Sequence, residues 1–288
     1  MPELPEVETI ARRIEPDVVG RRIIAFESEA CRHAVPSAAE VRAVIVGRTV
    51  RALFRRGKLL VFELSEAGRP LWQTVHLRMS GRIEWEVDGR PRHGYTMWRF
   101  DQGPALWFCD SRKFGRVTVT TDLEKTMARL GPEPLAPDFT AARLRAMLSG
   151  RKRVLKPLLL DQSFLVGLGN IYVDEALFRA GLDPRMNTAA LTDQDIGRLH
   201  RAIRAVLREG IRYNGTTFDW IYPEGNMQAY LRVYGRKGRP CPRCRAPIAR
   251  IVVGQRGTHL CLRCQDTDAD SVPRRSSPSP DRQSRDQQ

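Results

Sequence analysis

Four cysteines constrain what this chain can fold into more than any other feature. Cys241-Pro-Arg-Cys244 is followed, after sixteen residues, by Cys261-Leu-Arg-Cys264. Each C-x2-C pair sits on a tight turn that aims two sulfurs at one point, and two such turns complete a tetrahedron, the spacing of a four-thiolate zinc site. Disulfides are the alternative, and they are rare in the reducing compartment expected for a chain without a secretion signal. Four protein ligands close the coordination sphere, so the ion's role is structural. Eight Lys and Arg residues lie between 236 and 263, which suits contact with phosphates as well as a solvated surface. Among them Arg256, in Gly254-Gln255-Arg256-Gly257-Thr258, fits a hairpin tip. Cys31 and Cys109 have no partner by spacing and are read as core residues.

The other end of the chain is chemically unusual. Met1 precedes a small residue, Pro2, so removal of the initiator methionine is expected, leaving a secondary amine at the N-terminus. An α-amino group has a reference pKa near ~8, so a useful fraction is neutral and nucleophilic at pH 7 and can form an iminium. Glu3 follows directly and can shuttle protons for that amine. Leu4, Val7, Ile10, Ala11 and Ile14 recur at helical spacing, Pro5 suits the first turn, and Glu6 and Glu8 complement the helix dipole. From these residues alone, an ordinary N-terminal helix is the simpler reading.

Residues 22 to 120 read mainly as strands: 23–26, 49–54, 59–64, 96–100, 105–109 and 116–120, with 41–45 open to a helical reading. Their close spacing favours a β-sandwich over a parallel sheet. Gly131-Pro-Glu-Pro-Leu-Ala-Pro137 places three prolines in seven residues, a stiff linker. Helical patterns follow over 139–148, 154–160, 171–180 and 192–213, with Thr192 as an N-cap. From residue 266 the chain is Ser, Pro, Arg, Asp and Gln, which cannot bury a core and is expected to be disordered.

The net charge is +15 over 288 residues, and the segment from Gln265 onward carries four Arg against five Asp, so the excess belongs to the rest. A basic body favours a polyanion, with nucleic acid ahead of an anionic membrane. No apolar run approaches the ~20 residues of a membrane span, and a cytoplasmic location is expected. Three further stretches suit such a partner. Gly167-Leu-Gly169-Asn170-Ile-Tyr172 precedes a helix, where glycines let backbone N–H groups approach an anion; Asn170 either caps the helix or binds the anion with its amide. Arg55-Arg56-Gly57-Lys58 reads as an exposed hairpin turn, or as a turn that puts Lys58 beside the terminal amine. His76-Leu-Arg-Met79-Ser-Gly81 and Asp110-Ser-Arg112-Lys-Phe114-Gly115 each set a large side chain before a glycine. On a basic protein an exposed apolar residue can wedge between bases; taken alone, Met79 and Phe114 are simpler as core residues.

Together these motifs resemble the formamidopyrimidine-DNA glycosylase family, the Fpg/MutM type of the Fpg/Nei superfamily. The matching pieces are Pro2-Glu-Leu-Pro-Glu-Val-Glu-Thr9, Arg56-Gly-Lys58, His76-Leu77 with Met79-Ser-Gly81, Asp110 with Arg112, Phe114 and Gly115, Gly167 to Tyr172, Val233-Tyr-Gly-Arg236, and the four cysteines with Gln265. They cover all but the tail. The resemblance implies an α+β architecture: an N-terminal catalytic β-sandwich domain with an N-terminal helix (1–130), a linker (131–137), a helix–two-turn–helix domain (138–234), a zinc finger hairpin (235–265) and a tail (266–288). It implies a monomeric, zinc-containing glycosylase and apurinic/apyrimidinic lyase that cuts out oxidised purines from double-stranded DNA. Pro2 is then the nucleophile and Glu3 its acid; Lys58, Asn170 and Arg256 hold phosphates; His76, Met79, Arg112 and Phe114 contact DNA, the last three filling the hole left by a flipped base. A terminal amine also implies that no catalytic lysine needs a buried, lowered pKa. The segment 216–232 is shorter than the family pattern, which leaves the base preference open to a Nei-type alternative, oxidised pyrimidines; a second alternative, a non-catalytic binder of damaged DNA, needs an unusable N-terminus.

Overall fold

Helix α1 (Leu4–Val18) belongs to two hydrophobic cores at once. Its first apolar residue, Leu4, packs into the cluster of the C-terminal helices, while Val7, Ile10, Ala11, Ile14 and Val18 pack into the β-sandwich. Burying those five contributes on the order of 10 kcal/mol before the entropy of ordering is subtracted. This description comes from a computed structural model that covers residues 2–30, 33–64, 70–216 and 225–265. Cys31, residues 217–224 of segment 216–232 and the tail lie outside the described residues, and so do the core reading of Cys31 and the expected disorder of the tail.

The sandwich has two sheets. Strands β1 (Ile23–Ser28), β6 (Gly81–Trp85), β7 (Gly94–Phe100) and β8 (Leu106–Asp110) run in the order β1-β7-β8-β6. Strands β2 (Ala34–Val35), β3 (Val50–Arg56), β4 (Leu59–Leu64), β5 (Leu71–His76) and β9 (Arg116–Thr120) run β2-β9-β5-β4-β3. All neighbours are antiparallel except β2 and β9. Every run expected to be a strand lies on one; residues 41–45 fall in helix α2 (Ala38–Ile45), whose first turn is capped by Ser37. Strand β5 breaks the apolar alternation with buried Gln73, which accepts a 2.8 Å hydrogen bond from the Trp98 indole across the sandwich.

After a short helix α3 (Leu123–Met127), the C-terminal half is helical: α4 (Ala141–Leu148), α5 (Leu155–Leu160), α6 (Asn170–Ala180) and α7 (Asp193–Arg212). Thr192 caps α7 as expected, with a reciprocal bond from its N–H to Asp195 (2.9 Å). The linker is held on both sides. Glu133 accepts from Arg55 (2.9 Å), Arg56 (3.0 Å) and the Gly57 N–H (2.5 Å), and Arg204 donates to the Pro134 and Ala136 carbonyls, each at 2.8 Å. Strands β10 (Ala249–Val253) and β11 (Arg256–Leu260) form the last hairpin. Its two-residue turn, Gly254-Gln255, has both φ angles positive (55° and 62°), the geometry of a tight hairpin turn. Among the described residues no helix is long and apolar enough to cross a membrane.

Candidate active site

Three backbone donors at the start of α6 are aimed at one anion, and that anion is Glu3. Its carboxylate accepts the N–H groups of Gly169 (2.7 Å), Ile171 (2.9 Å) and Tyr172 (3.3 Å). The approach requires glycine at 169, since a Cβ there would lie 2.3 Å from the Glu3 carboxyl carbon. The helix terminus read from sequence as an anion site is therefore filled by the protein's own acid. Asn170 does not cap the helix; Gly169 is the N-cap, and the Asn170 amide donates to the Gly257 carbonyl (2.9 Å), leaving its buried Oδ1 without a partner.

Glu3 and Pro2 are buried where the two cores meet. The Glu3 N–H donates to Glu6 (2.8 Å), and Glu6 also accepts from the Tyr172 hydroxyl (2.8 Å) and the Thr216 N–H (2.8 Å). From sequence, Glu6 complements the helix dipole and, by the resemblance, supports the surroundings of the nucleophile; here it joins α1, α6 and the segment after α7. Burial, helped by the like charge of Glu6, pushes the Glu3 pKa up to about 7 against the pull of Lys58 and of the Ile171 N–H. The group thus exchanges protons near neutrality.

Lys58 corrects two expectations. The β3–β4 turn is a hairpin turn but not an exposed one, since Lys58 is only 7% accessible. Burial lowers its pKa; the charges of Glu3 and Glu6 oppose that shift and Arg256 adds to it. A lysine with a lowered pKa therefore does stand beside the terminal segment. These fields also locate Arg256. It opens β11 just past the hairpin tip, exposed, with Gly254 packed on Pro157 of α5. His76, at the end of β5, has its pKa lowered to about 4 by burial and by the charges of Arg78 and Lys58, so the ring is neutral at pH 7. Its Nδ1 accepts the Arg78 N–H (3.0 Å), which puts the ring proton on Nε2.

Met79 and Phe114 are not core residues. They are 42% and 51% exposed. The Arg112 guanidinium lies 5.8 Å from the Phe114 ring centre. Buried Asp110 ties both loops together, accepting from the Ser80 hydroxyl, from the Gly115 N–H (2.8 Å) and from the Arg112 N–H (3.3 Å). Cys109, read as a core residue, is buried.

The sequence reading missed the pair that docks the hairpin. Lys156 and Asp174 are both fully buried. Lys156 donates to Asp174 (2.6 Å), Thr258 Oγ1 (2.8 Å) and the Gly257 carbonyl (3.1 Å), using all three of its protons, while Asp174 accepts the His259 N–H (2.8 Å). The signal was a lone lysine within Leu155-Lys-Pro-Leu-Leu-Leu160 and an acid inside Ile171-Tyr-Val-Asp-Glu-Ala176. The four cysteine sulfurs lie within 4.8 Å of one another, with Cys241–Cys264 at 3.9 Å and Cys244–Cys261 at 3.4 Å. A tetrahedron with metal–sulfur bonds of ~2.3 Å has edges of about 3.8 Å, so the four fit a structural zinc ion.

Comparison with known proteins agrees with this arrangement throughout the chain. Residues 1–117 match the formamidopyrimidine-DNA glycosylase N-terminal domain, 130–220 the H2TH domain of that glycosylase, and 238–267 the zinc finger found in FPG and IleRS. The formamidopyrimidine-DNA glycosylase of Symbiobacterium thermophilum is 43% identical, covering 92% of this chain and 89% of its own. That of Geobacillus kaustophilus is 42% identical, covering 92% and 100%. Wild-type Lactococcus lactis Fpg (MutM), solved with DNA containing N7-benzyl-Fapy-dG, superimposes with a TM-score of 0.86 at 35% identity, over 92% of this chain and 100% of the other. MutM in complex with DNA containing carbocyclic 8-oxo-G gives the same TM-score and coverage. The chain belongs to the formamidopyrimidine-DNA glycosylase family.

Proposed function

We propose that this chain removes oxidised purines, 8-oxoguanine and formamidopyrimidines, from duplex DNA and then cuts the strand, with Pro2 as the nucleophile. The observation that carries the reading is the buried Glu3 carboxyl, clamped by the α6 amides next to Pro2 and close to neutral pKa. Removal of Met1 exposes the Pro2 amine. Its lone pair attacks C1′ of the flipped nucleotide while the bond to the damaged base breaks; the base leaves with its electron pair and takes up the N–H proton that the Pro2 nitrogen sheds, which restores the nitrogen lone pair. Glu3 gives a proton to the ring oxygen O4′, the C1′–O4′ bond opens, and the nitrogen electrons form the iminium. The iminium acidifies C2′–H, so β- and then δ-elimination expel the 3′ and 5′ phosphates, and water releases the sugar fragment and regenerates the amine.

The remaining residues have roles in keeping with where they sit. Lys58, Asn170 and Arg256 hold the phosphates around the lesion, and the neutral His76 offers its Nε2–H to the same backbone. Base flipping costs a few kcal/mol; exposed Met79, Arg112 and Phe114 offset it by filling the stack, with Arg112 reading the orphaned partner base through its fixed donor fork. The chain acts as a monomer, in the cytoplasm, with the divisions 1–130, 138–234 and 235–265 as catalytic, helical and finger units. Cleavage of duplexes carrying 8-oxoguanine or thymine glycol tests the substrate. Faster cutting of the purine lesion is expected; a preference for thymine glycol moves the chain to the pyrimidine-directed reading, and tight binding with no cutting to the non-catalytic one.

A further inference from the structure

Helix α7 turns a second basic surface outward. An α-helix advances by about 100° and about 1.5 Å per residue, so Arg201, Arg204, Arg208 and Arg212 fall within an arc of about 80°. Buried Leu199, Ile203, Val206, Leu207 and Gly210 lie on the opposite side. That opposite side faces the catalytic floor, because a Cβ on Gly210 would lie 2.6 Å from the Tyr172 ring and 2.8 Å from Pro5. The arginine stripe therefore points away from Glu3 and Glu6.

Arg204 has an internal task at the linker carbonyls. Among its neighbours, Arg212 lies 5.7 Å from the Tyr213 ring centre, a contact that leaves its charge unpaired. Arg201, Arg208 and Arg212 are exposed, and none forms an ion pair with a described residue. Glu209, the nearest acid in sequence, lies to one side and is paired with Arg179. The stripe is also self-repelling: the pKa of Arg204 is lowered by desolvation and by the charge of Arg208. Three uncompensated guanidiniums thus stand in a straight row about 16 Å long.

We propose that Arg201, Arg208 and Arg212 form a second surface for the phosphate backbone of double-stranded DNA, so that the protein holds two duplex segments at once, one in the catalytic cleft and one behind α7. The inference rests on the cleft reading above for the first segment. A duplex carries one charge per ~1.7 Å of axis, so about ten phosphates lie along a stretch of this length, some of them on the side facing the row, and neutralising those releases condensed counterions. A rigid row suits a rigid rod of regular charge. A flexible acidic peptide would first have to lose its conformational freedom to match it. The planar guanidinium fork is well shaped for phosphate oxygens. Holding two segments lets the protein pass from one to the other without first becoming free.

The test uses the full chain, R201Q/R208Q/R212Q and the charge-preserving R201K/R208K/R212K. Each is loaded on a short fluorescent duplex with a tetrahydrofuran abasic analogue, and release is followed against rising undamaged, unlabelled duplex. For the unaltered protein and the lysine variant, the release rate should climb at least twofold with competitor; for the glutamine variant it should stay flat, with lesion cleavage within about twofold of normal. A flat response from the unaltered protein, or an undiminished one from the glutamine variant, overturns the proposal. A tenfold loss of cleavage in the glutamine variant would also overturn it, by placing the stripe in the catalytic machinery. Lesion cleavage by the unaltered protein, measured alongside, separates a failure of the cleft reading from a failure of the stripe.

Discussion

Burial keeps Glu3 protonated closer to neutral pH than an exposed glutamate. Its pKa is raised by burial to about 7, above the 4.5 of an exposed glutamate. Two consequences follow. The acid form is lost as pH rises through about 7, so single-turnover iminium formation, read by borohydride trapping, should fall on that alkaline limb. Glu3→Gln should cut the rate by ~10²–10⁴ and erase the limb from what remains. On stability the sign runs the other way from an ordinary salt-bridged carboxylate. Both folded and unfolded chains hold the proton below pH 4.5; above it the unfolded chain releases a proton that the folded one retains up to about 7, and the folded state loses ground. The melting temperature of Glu3→Gln relative to the parent should therefore increase between pH 5 and pH 8, and a constant difference across that range would contradict the burial argument. Pro2, Glu3 and Lys58 were legible because their chemistry is local to short motifs. The clamp on Glu3 was not, because its donors are 166 to 169 residues away. Nor was the burial of Lys58, which depends on what the second half of the chain lays over the turn.

At the level of elements, the strands were legible where side chains alternate, and the helices where caps such as Thr192 mark their starts. Polar burial was harder to read: β5, which buries Gln73, was not read as a strand, and α5 was read as a helix without the burial of its Lys156. That lysine yields a stability prediction. Asp174→Ala leaves a buried ammonium with one partner fewer, at a cost of about 3–5 kcal/mol in denaturant unfolding. Zinc content should be unchanged, since no ligand is touched. Cys261→Ser should do the reverse: metal content drops, the finger loosens and DNA affinity falls, while the far-ultraviolet signal of the sandwich persists. The two loops tied by Asp110 give a third test. Phe114 is half exposed, so Phe114→Ala should leave the melting temperature within about 1 °C, as expected of a surface change. It should slow extrusion of the lesion, read by a fluorescent base analogue next to it, by at least ~10-fold. A large loss of stability with normal extrusion would return Phe114 to the core role it first suggested.

For the molecule as a whole, α1 is the joint. One helix is shared by the sandwich core and the helical core, and Pro2 and Glu3 stand directly before its first turn, so the reaction proposed for them and the packing between the two halves depend on one stretch of chain. The division into a β-rich half, a helical half and a finger was readable from the linker prolines and the cysteine spacing. How the halves close on the N-terminus was not, because Glu133, Glu6 and Glu3 act between them. The central claim is that the nitrogen of Pro2 becomes bonded to sugar. Borohydride reduction during turnover on an 8-oxoguanine duplex, followed by mass analysis of the N-terminal peptide, measures this directly. The expected result is a chain lacking Met1, a covalent DNA adduct on Pro2, and loss of both trapping and incision in Pro2→Gly. An adduct on Lys58 or any other residue, or full incision by a chain that retains Met1, would contradict it.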